Sequence, residues 1–251
     1  IVIVILVVVG CVLGFVYFTK EKTKPIIDPE EKKAIQNQEK LFSLETYPRI
    51  DGSTVTLPLA EAFKADFTGT DIKDVDVTHS KTHNAYVNLI NGDTDLILVT
   101  YPSDDEQKLA KEKGVELEIV PIVKDAFVFF VNTENPVESL TLEQIQGIYT
   151  GNIKNLKDVG GDNERIVASQ RPANSGSQSG MLSLVMKGKK MMDPTTETIS
   201  QTMSDIVDVI SDYTNGKTAI GYSYYYYATT MYTKDKMKLL VVNGVDPTYE
   251  N

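Results

Sequence analysis

Three short stretches of this chain set hydroxyl residues beside the start of a helix-like segment. In "QRPANSGSQSGM" at 170–181, Arg171 follows the strand-like "RIVASQ", and Ser175, Gly176 and Ser177 come four to six residues later, just before an apolar helical pattern. Glycine lets the backbone approach a ligand, successive N–H groups form a nest, and arginine adds a planar fork suited to tetrahedral oxyanions. A surface loop without a ligand would also suit this composition. A serine-hydrolase reading fails on one residue, because the G-x-S-x-G elbow needs a central serine and "GSQSG" has Gln178.

The second stretch, "DGSTVTLPLAEAF" at 51–63, places Ser53 and Thr54 ahead of a helix with Pro58 in its first turn. Free N–H groups and hydroxyls at a helix start can hold an anion without a full positive charge. An ordinary N-cap by Ser53, Thr54 or Thr56 is equally compatible with these residues. The third, "HSKTHNAYVNLINGDTDLILVTYPS" at 79–103, has Ser80 and Thr82 before a helix, then Thr100 and Tyr101 at the end of a strand. His79 and His83 are the only histidines, and their four-residue spacing could offer two metal ligands on a helix. No third ligand is evident, so solvent-facing or capping histidines are expected and no metal site is. There is no Walker lysine motif and no G-x-G-x-x-G, and no cofactor is expected.

These elements need a scaffold, and the composition supports one. The 251 residues are 41% hydrophobic and 24% charged, enough for one large domain or two lobes with separate cores. A formal net charge of −10 argues against nucleic acid, which requires clustered Lys and Arg. Any bound anion must be held by local geometry against that field. With Cys11 as the single cysteine, neither a disulfide nor a cysteine-ligated zinc site can form within the chain.

Residues 1–18 carry no charge and are about long enough to span a hydrocarbon core of ~30 Å, which predicts an uncleaved membrane anchor or a signal segment. "VVGC" at 8–11 resembles a lipoprotein processing box that would leave Cys11 lipidated, although the apolar run continues to Phe18; a signal cut elsewhere is the third option. Each option tethers or exports the domain. Residues 19–43 read as a polar linker. Beyond them strand-like and helix-like segments alternate: "PLAEAFKADF" helical, "DVDVTH" a strand, "NAYVNLINGD" helical, "TDLILVT" a buried strand. That rhythm predicts an α/β fold with sites at the carboxyl ends of strands.

"DGSTVTLPLAEAF", "TLEQIQGIYTGNIKNLKDVGG" at 141–161, "RPANSGSQSG" and "AIGYSYYYYA" at 219–228, in this order, resemble the phosphate-binding subunit of bacterial phosphate ABC importers. The resemblance implies a two-lobed clamp of the periplasmic-binding type (type II), with lobe one at 44–128 plus 223–251 and lobe two at 129–222. It also implies that the family's chain continues past "VDPTYEN", so that this sequence is expected to be truncated at both ends. The phosphate contacts it implies are Ser53, Thr54 and the Val55 backbone, Ser80 or Thr82, and Arg171, Ser175, Gly176 and Ser177. Where many members have an aspartate that accepts the proton of hydrogen phosphate, this chain has Thr100, which puts selectivity against sulfate in question. The implied protein is a monomeric, non-enzymatic solute-binding protein on the outer face of the cell membrane, with inorganic phosphate and a permease as partners. The alternative is an anchored oxyanion sensor or adhesion-type module using the same clamp without a transporter.

Overall fold

Two four-stranded sheets build the fold, and the strands Leu96–Val99, Phe127–Asn132 and Ala219–Tyr224 have side chains buried on both faces. The computed structural model describes residues 2–7, 41–194, 199–212 and 216–248. The first sheet contains β1 (Val2–Val7), β2 (Ile50–Gly52), β3 (Leu96–Val99) and β4 (Glu116–Pro121) in the order β2-β3-β1-β4, with every neighbouring pair parallel. Parallel neighbours require crossovers, and three helices belong to this part of the chain: α1 (Leu57–Thr68), α2 (Thr82–Asn91) and α3 (Asp104–Lys113). In α2 the helical spacing of Ala85, Tyr86 and Leu89 buries one stripe against Ile97 and Val99 of β3. A capping box between Ser103 and Glu106 starts α3.

The second sheet runs β7-β8-β5-β9: β5 (Phe127–Asn132) is antiparallel to β8 (Ala219–Tyr224) and to β9 (Met237–Leu239), and β7 (Val167–Ala168) is parallel to β8. Side chains on β5 alternate between two cores, as the two-residue strand period requires. Phe129 and Val131 pack with Ile145, Ile148 and Tyr149 of α4 (Leu142–Tyr149) and with Met181. Phe130 faces Ile206, Val207 and Ile210 of α6 (Met203–Asp212). Between them, the short α5 (Gly176–Gly180) passes directly into a π-helix at Met181–Met186. β6 (Ser139–Leu140) and β10 (Val241–Val242) form a separate parallel pair.

Within the apolar run at 1–18, Val2–Val7 forms a strand between β3 and β4. The run's remaining residues, Cys11 included, lie outside the described residues, as do most of the linker positions. Residues 237–239 pair with β5 in the second sheet, residues 241–242 pair with β6 in the separate two-stranded sheet, and positions 128 and 129 both lie within β5. "DVDVTH" joins no strand: a 3-10 turn at Ile72–Asp74 is followed by irregular backbone, since its aspartates have no ladder to enter. "RIVASQ" contributes only the two residues of β7. Among the described residues no helix is long and apolar enough to cross a membrane.

Candidate functional site

The site lies where three loops of the first unit meet two of the second, around a cavity of about 460 Å³. After β2 the chain turns at Ser53, whose extended backbone (ψ 160°) leads into a 3-10 turn at Thr54–Thr56 and then α1. Neither Ser53 nor Thr56 caps these helices with its side chain. Instead, Thr56 Oγ1 lies 2.7 Å from the Leu98 carbonyl and pins the turn to β3. Helix-start N–H groups have no intrahelical partner, so this uncapped turn leaves donors for a ligand.

The start of α2 is uncapped in the same way. Lys81 precedes it at φ 76°, ψ 162°, a conformation that non-glycine residues adopt only at a cost of order 1–3 kcal/mol. That turn aims Thr82, His83 and Asn84 at the cavity. Thr100, one residue beyond β3, lines it too, with its hydroxyl buried and unpartnered. Tyr86 donates its hydroxyl to the Thr100 carbonyl at 2.6 Å and so fixes the strand end.

Arg171 enters from the second unit. Its backbone N–H donates to Gln178 Oε1 and to the Tyr222 hydroxyl, each at 3.1 Å, which locks the residue in place. The side chain is 9% exposed, and Nε and Nη1 are buried without partners. Burial pushes the guanidinium pKa down, while Tyr222, Asp205 and Tyr227 push it back up. A buried cation with unused donors is costly unless an anion meets it. Ser175 and Gly176 stand beside it on the cavity wall. An added Cβ on Gly176 would lie 2.8 Å from Thr82 Oγ1 and 3.1 Å from Thr100 Oγ1, so the two units touch here with room for glycine only. Asn174 Nδ2 donates to Asp105 Oδ2 at 2.9 Å across the same seam.

Ser53, Thr54, Val55, Thr82, Thr100, Arg171, Ser175 and Gly176 therefore line one cavity. Two expected residues do not. Ser80 donates its hydroxyl and its N–H to Asp51, and Ser177 is fully buried behind the wall with its Oγ unpartnered. His79 places Nδ1 2.8 Å from the Ser53 carbonyl, and His83 places Nδ1 3.0 Å from Glu106 Oε1, so the pair does not converge on a metal. Among the described residues no three potential metal ligands cluster.

Thr202 and Ser204 at the start of α6, and Tyr224 and Tyr227, were not among the expected contacts and also line the cavity. "SQTMSD" has the same hydroxyl-before-helix pattern as the other loops and could have been found by it. In this case Thr202 caps its helix, accepting from the Asp205 N–H at 3.1 Å, while the Thr202 N–H donates to Asp205. Among the described residues no carboxylate lines the cavity.

A family model described as a PBP superfamily domain matches residues 46–251. The chain belongs to this family. A phosphate-binding protein PstS from Bacillus subtilis is 33% identical over 121 residues, covering 48% of this chain and 37% of the relative. One from Staphylococcus epidermidis is 27% identical over 195 residues, covering 75% of this chain and 57% of the relative. The chain thus spans well under two thirds of the length of these curated relatives. Among solved structures, a phosphate ABC transporter substrate-binding protein with bound phosphate from Clostridium perfringens superposes with a TM-score of 0.60 at 27% identity, covering 80% of this chain and 78% of that one. An ABC-type phosphate transport receptor from Vibrio cholerae, at 23% identity and a TM-score of 0.54, shares the fold with 80% and 79% coverage. The periplasmic-binding-protein-like α/β fold expected from the motifs is the fold of this family.

Proposed function

We propose that the chain is a solute-binding protein that captures inorganic phosphate in the cavity between its two units and delivers it to an ABC importer. The observation that carries this reading is Arg171: a buried guanidinium with unused donors, facing two uncapped helix starts and several hydroxyls in a cavity that no carboxylate lines among the described residues. Only an anion satisfies that set, and tetrahedral oxygens match donors arriving from both sides. The names of the PstS relatives and the phosphate in the Clostridium perfringens structure support phosphate as the anion. The chemistry is binding, as in the relatives named phosphate-binding proteins.

In this reading the first lobe comprises residues 44 to about 121 and the second runs from β5 to β10. The protein acts as a monomer on the outer face of the cell membrane. A tether formed by residues 1–18 is compatible with this only in molecules whose Val2–Val7 segment is outside the sheet.

Calorimetric titration with phosphate, arsenate and sulfate tests the proposal. Phosphate and arsenate should bind, and no heat from any oxyanion would overturn it. Sulfate should compete measurably, because Thr100 presents a hydroxyl that can donate as well as accept. Thr100→Asp should reduce sulfate affinity about tenfold or more relative to phosphate, as a carboxylate repels an oxyanion that brings no proton. Equal sulfate exclusion by both forms would show that another group reads the proton.

Gly176→Ala should weaken phosphate binding about 5- to 100-fold, because the methyl group would hold the lobes apart by overpacking worth about 1–3 kcal/mol. Unchanged affinity would mean that the lobes do not close on this glycine.

A further inference from the structure

Among the described residues no carboxylate lines the cavity, yet hydrogen phosphate brings a proton that a selective site must accept. Resting on the phosphate reading above, we propose that the His83–Glu106 pair determines which protonation state of an oxyanion the site takes. Glu106 is fully buried, with Oε2 accepting the Ser103 N–H at 2.7 Å and Oε1 standing 3.0 Å from His83 Nδ1. A carboxylate can only accept, so Nδ1 carries the hydrogen and the tautomer is decided. Nε2 is then the ring nitrogen left for the cavity that His83 lines.

That nitrogen has two states of opposite character. In the neutral ring Nε2 is a bare lone pair, which accepts a P–OH proton and repels the oxygens of sulfate. In the imidazolium it is an N–H that donates to sulfate as readily as to phosphate. Glu106 holds the ring in one orientation in both states, so the switch changes the hydrogen-bond direction without moving the side chain.

The charged and titratable groups around the ring are few. From α3 come Glu106 and Asp105, and Asp105 is already engaged by Asn174. Lys81 adjoins it on the same loop, and Tyr86 spends its hydroxyl on the Thr100 carbonyl. Across the cavity are Arg171, Tyr224 and Tyr227. A titratable group also stands outside the cavity: Asp125, at the crossing between the sheets, accepts the Tyr226 N–H at 3.1 Å and is raised by burial to about 6.

Sulfate is the clean probe because it carries no proton across this range, so any pH dependence of its binding belongs to the protein. Titration of sulfate and phosphate into the whole chain at about pH 8 and about pH 5.5, where histidine changes charge, should show sulfate binding at least about tenfold tighter at the lower pH. Repeating the acid titration in two buffers of different ionisation enthalpy should show proton uptake with sulfate. His83→Asn keeps a donor near the place of Nδ1 and removes Nε2, and it should abolish both the pH dependence and the uptake. His83→Gln, with an amide N–H near the place of Nε2, should bind sulfate alike at both values. If the wild type binds phosphate but its sulfate affinity is flat with pH, the inference fails while the phosphate reading stands. If the dependence survives in His83→Asn, it belongs to another group such as Asp125, and the inference fails too. A wild type that binds neither anion at either pH overturns the phosphate reading itself.

Discussion

Replacing Arg171 by alanine is expected to weaken phosphate binding by at least about 30-fold and by up to several thousand-fold. Truncating one partner of a buried, charge-assisted pair costs roughly 2–5 kcal/mol, and about 1.4 kcal/mol is a factor of ten. The free protein should respond differently. Nε and Nη1 of Arg171 are buried without partners, so removing them relieves an unpaired charge rather than breaking an ion pair. The melting temperature without ligand should therefore hold steady or rise, while the increase produced by phosphate in the wild type should vanish. Arg171→Lys should restore only part of the affinity, because an ammonium keeps the charge and loses the planar fork. Titrations of the three proteins, with melts in the presence and absence of phosphate, decide the matter. Unchanged affinity in Arg171→Ala would remove this loop from the site.

What the sequence revealed of this site was what is written in contiguous residues. A hydroxyl beside a helix start is a local pattern, and it led to Ser53, Thr54, Thr82 and Ser175 from opposite walls of one cavity. The α/β rhythm was legible for the same reason, since α2 and β3 each carry their period within ten residues. Pairing between distant segments was not. Nothing within "KLLVVNGV" says that Leu239 will sit beside Phe130, and only the partner strand decides that residues 237–239 join the second sheet. Likewise an uncharged β-branched run at 2–7 is compatible with two apolar environments, and composition cannot choose between them. Ser80 and Thr82 looked equivalent as hydroxyls before a helix. They diverge because Asp51, 29 residues upstream of Ser80, takes its hydroxyl and leaves Thr82 for the cavity. His83 was visible as a residue, but its partner Glu106 reads first as a helix cap, a role it also performs.

The buried carboxylate of Asp51 gives the second large effect: Asp51→Ala should destabilise the protein by about 3 kcal/mol and disorganise the site with it. Asp51 is 7% exposed and serves two loops at once. Oδ1 accepts the N–H groups of Gly52 and Ser80, both at 2.7 Å, and Oδ2 accepts the Ser80 hydroxyl and Asn88 Nδ2, the latter at 2.9 Å. Alanine leaves those donors to find water in a half-buried place, at about 1–3 kcal/mol for each group that cannot. The melting temperature should fall by roughly 6–12 °C for a chain of this size. Because Asp51 ties the Ser53–Val55 turn to the loop that carries Thr82, phosphate affinity should fall as well, although Asp51 does not line the cavity. The pH dependence has a definite sign. Burial works to raise the Asp51 pKa, but the hydrogen bonds from Ser80, Asn88 and Gly52 outweigh it and hold the carboxyl below its ordinary value. A depressed folded value means that the stabilisation is fully present above the unfolded value of about 4 and is lost as pH falls through the folded one. Asp51→Asn keeps the shape but turns an amide NH₂ toward donors, so it should be destabilised near neutral pH, and its deficit against the wild type should shrink in acid. Urea melts of the wild type and Asp51→Asn at neutral pH and near pH 3 measure that difference directly. A deficit that stays constant with pH would mean that the charge of Asp51 contributes nothing and that only its shape holds the two loops together.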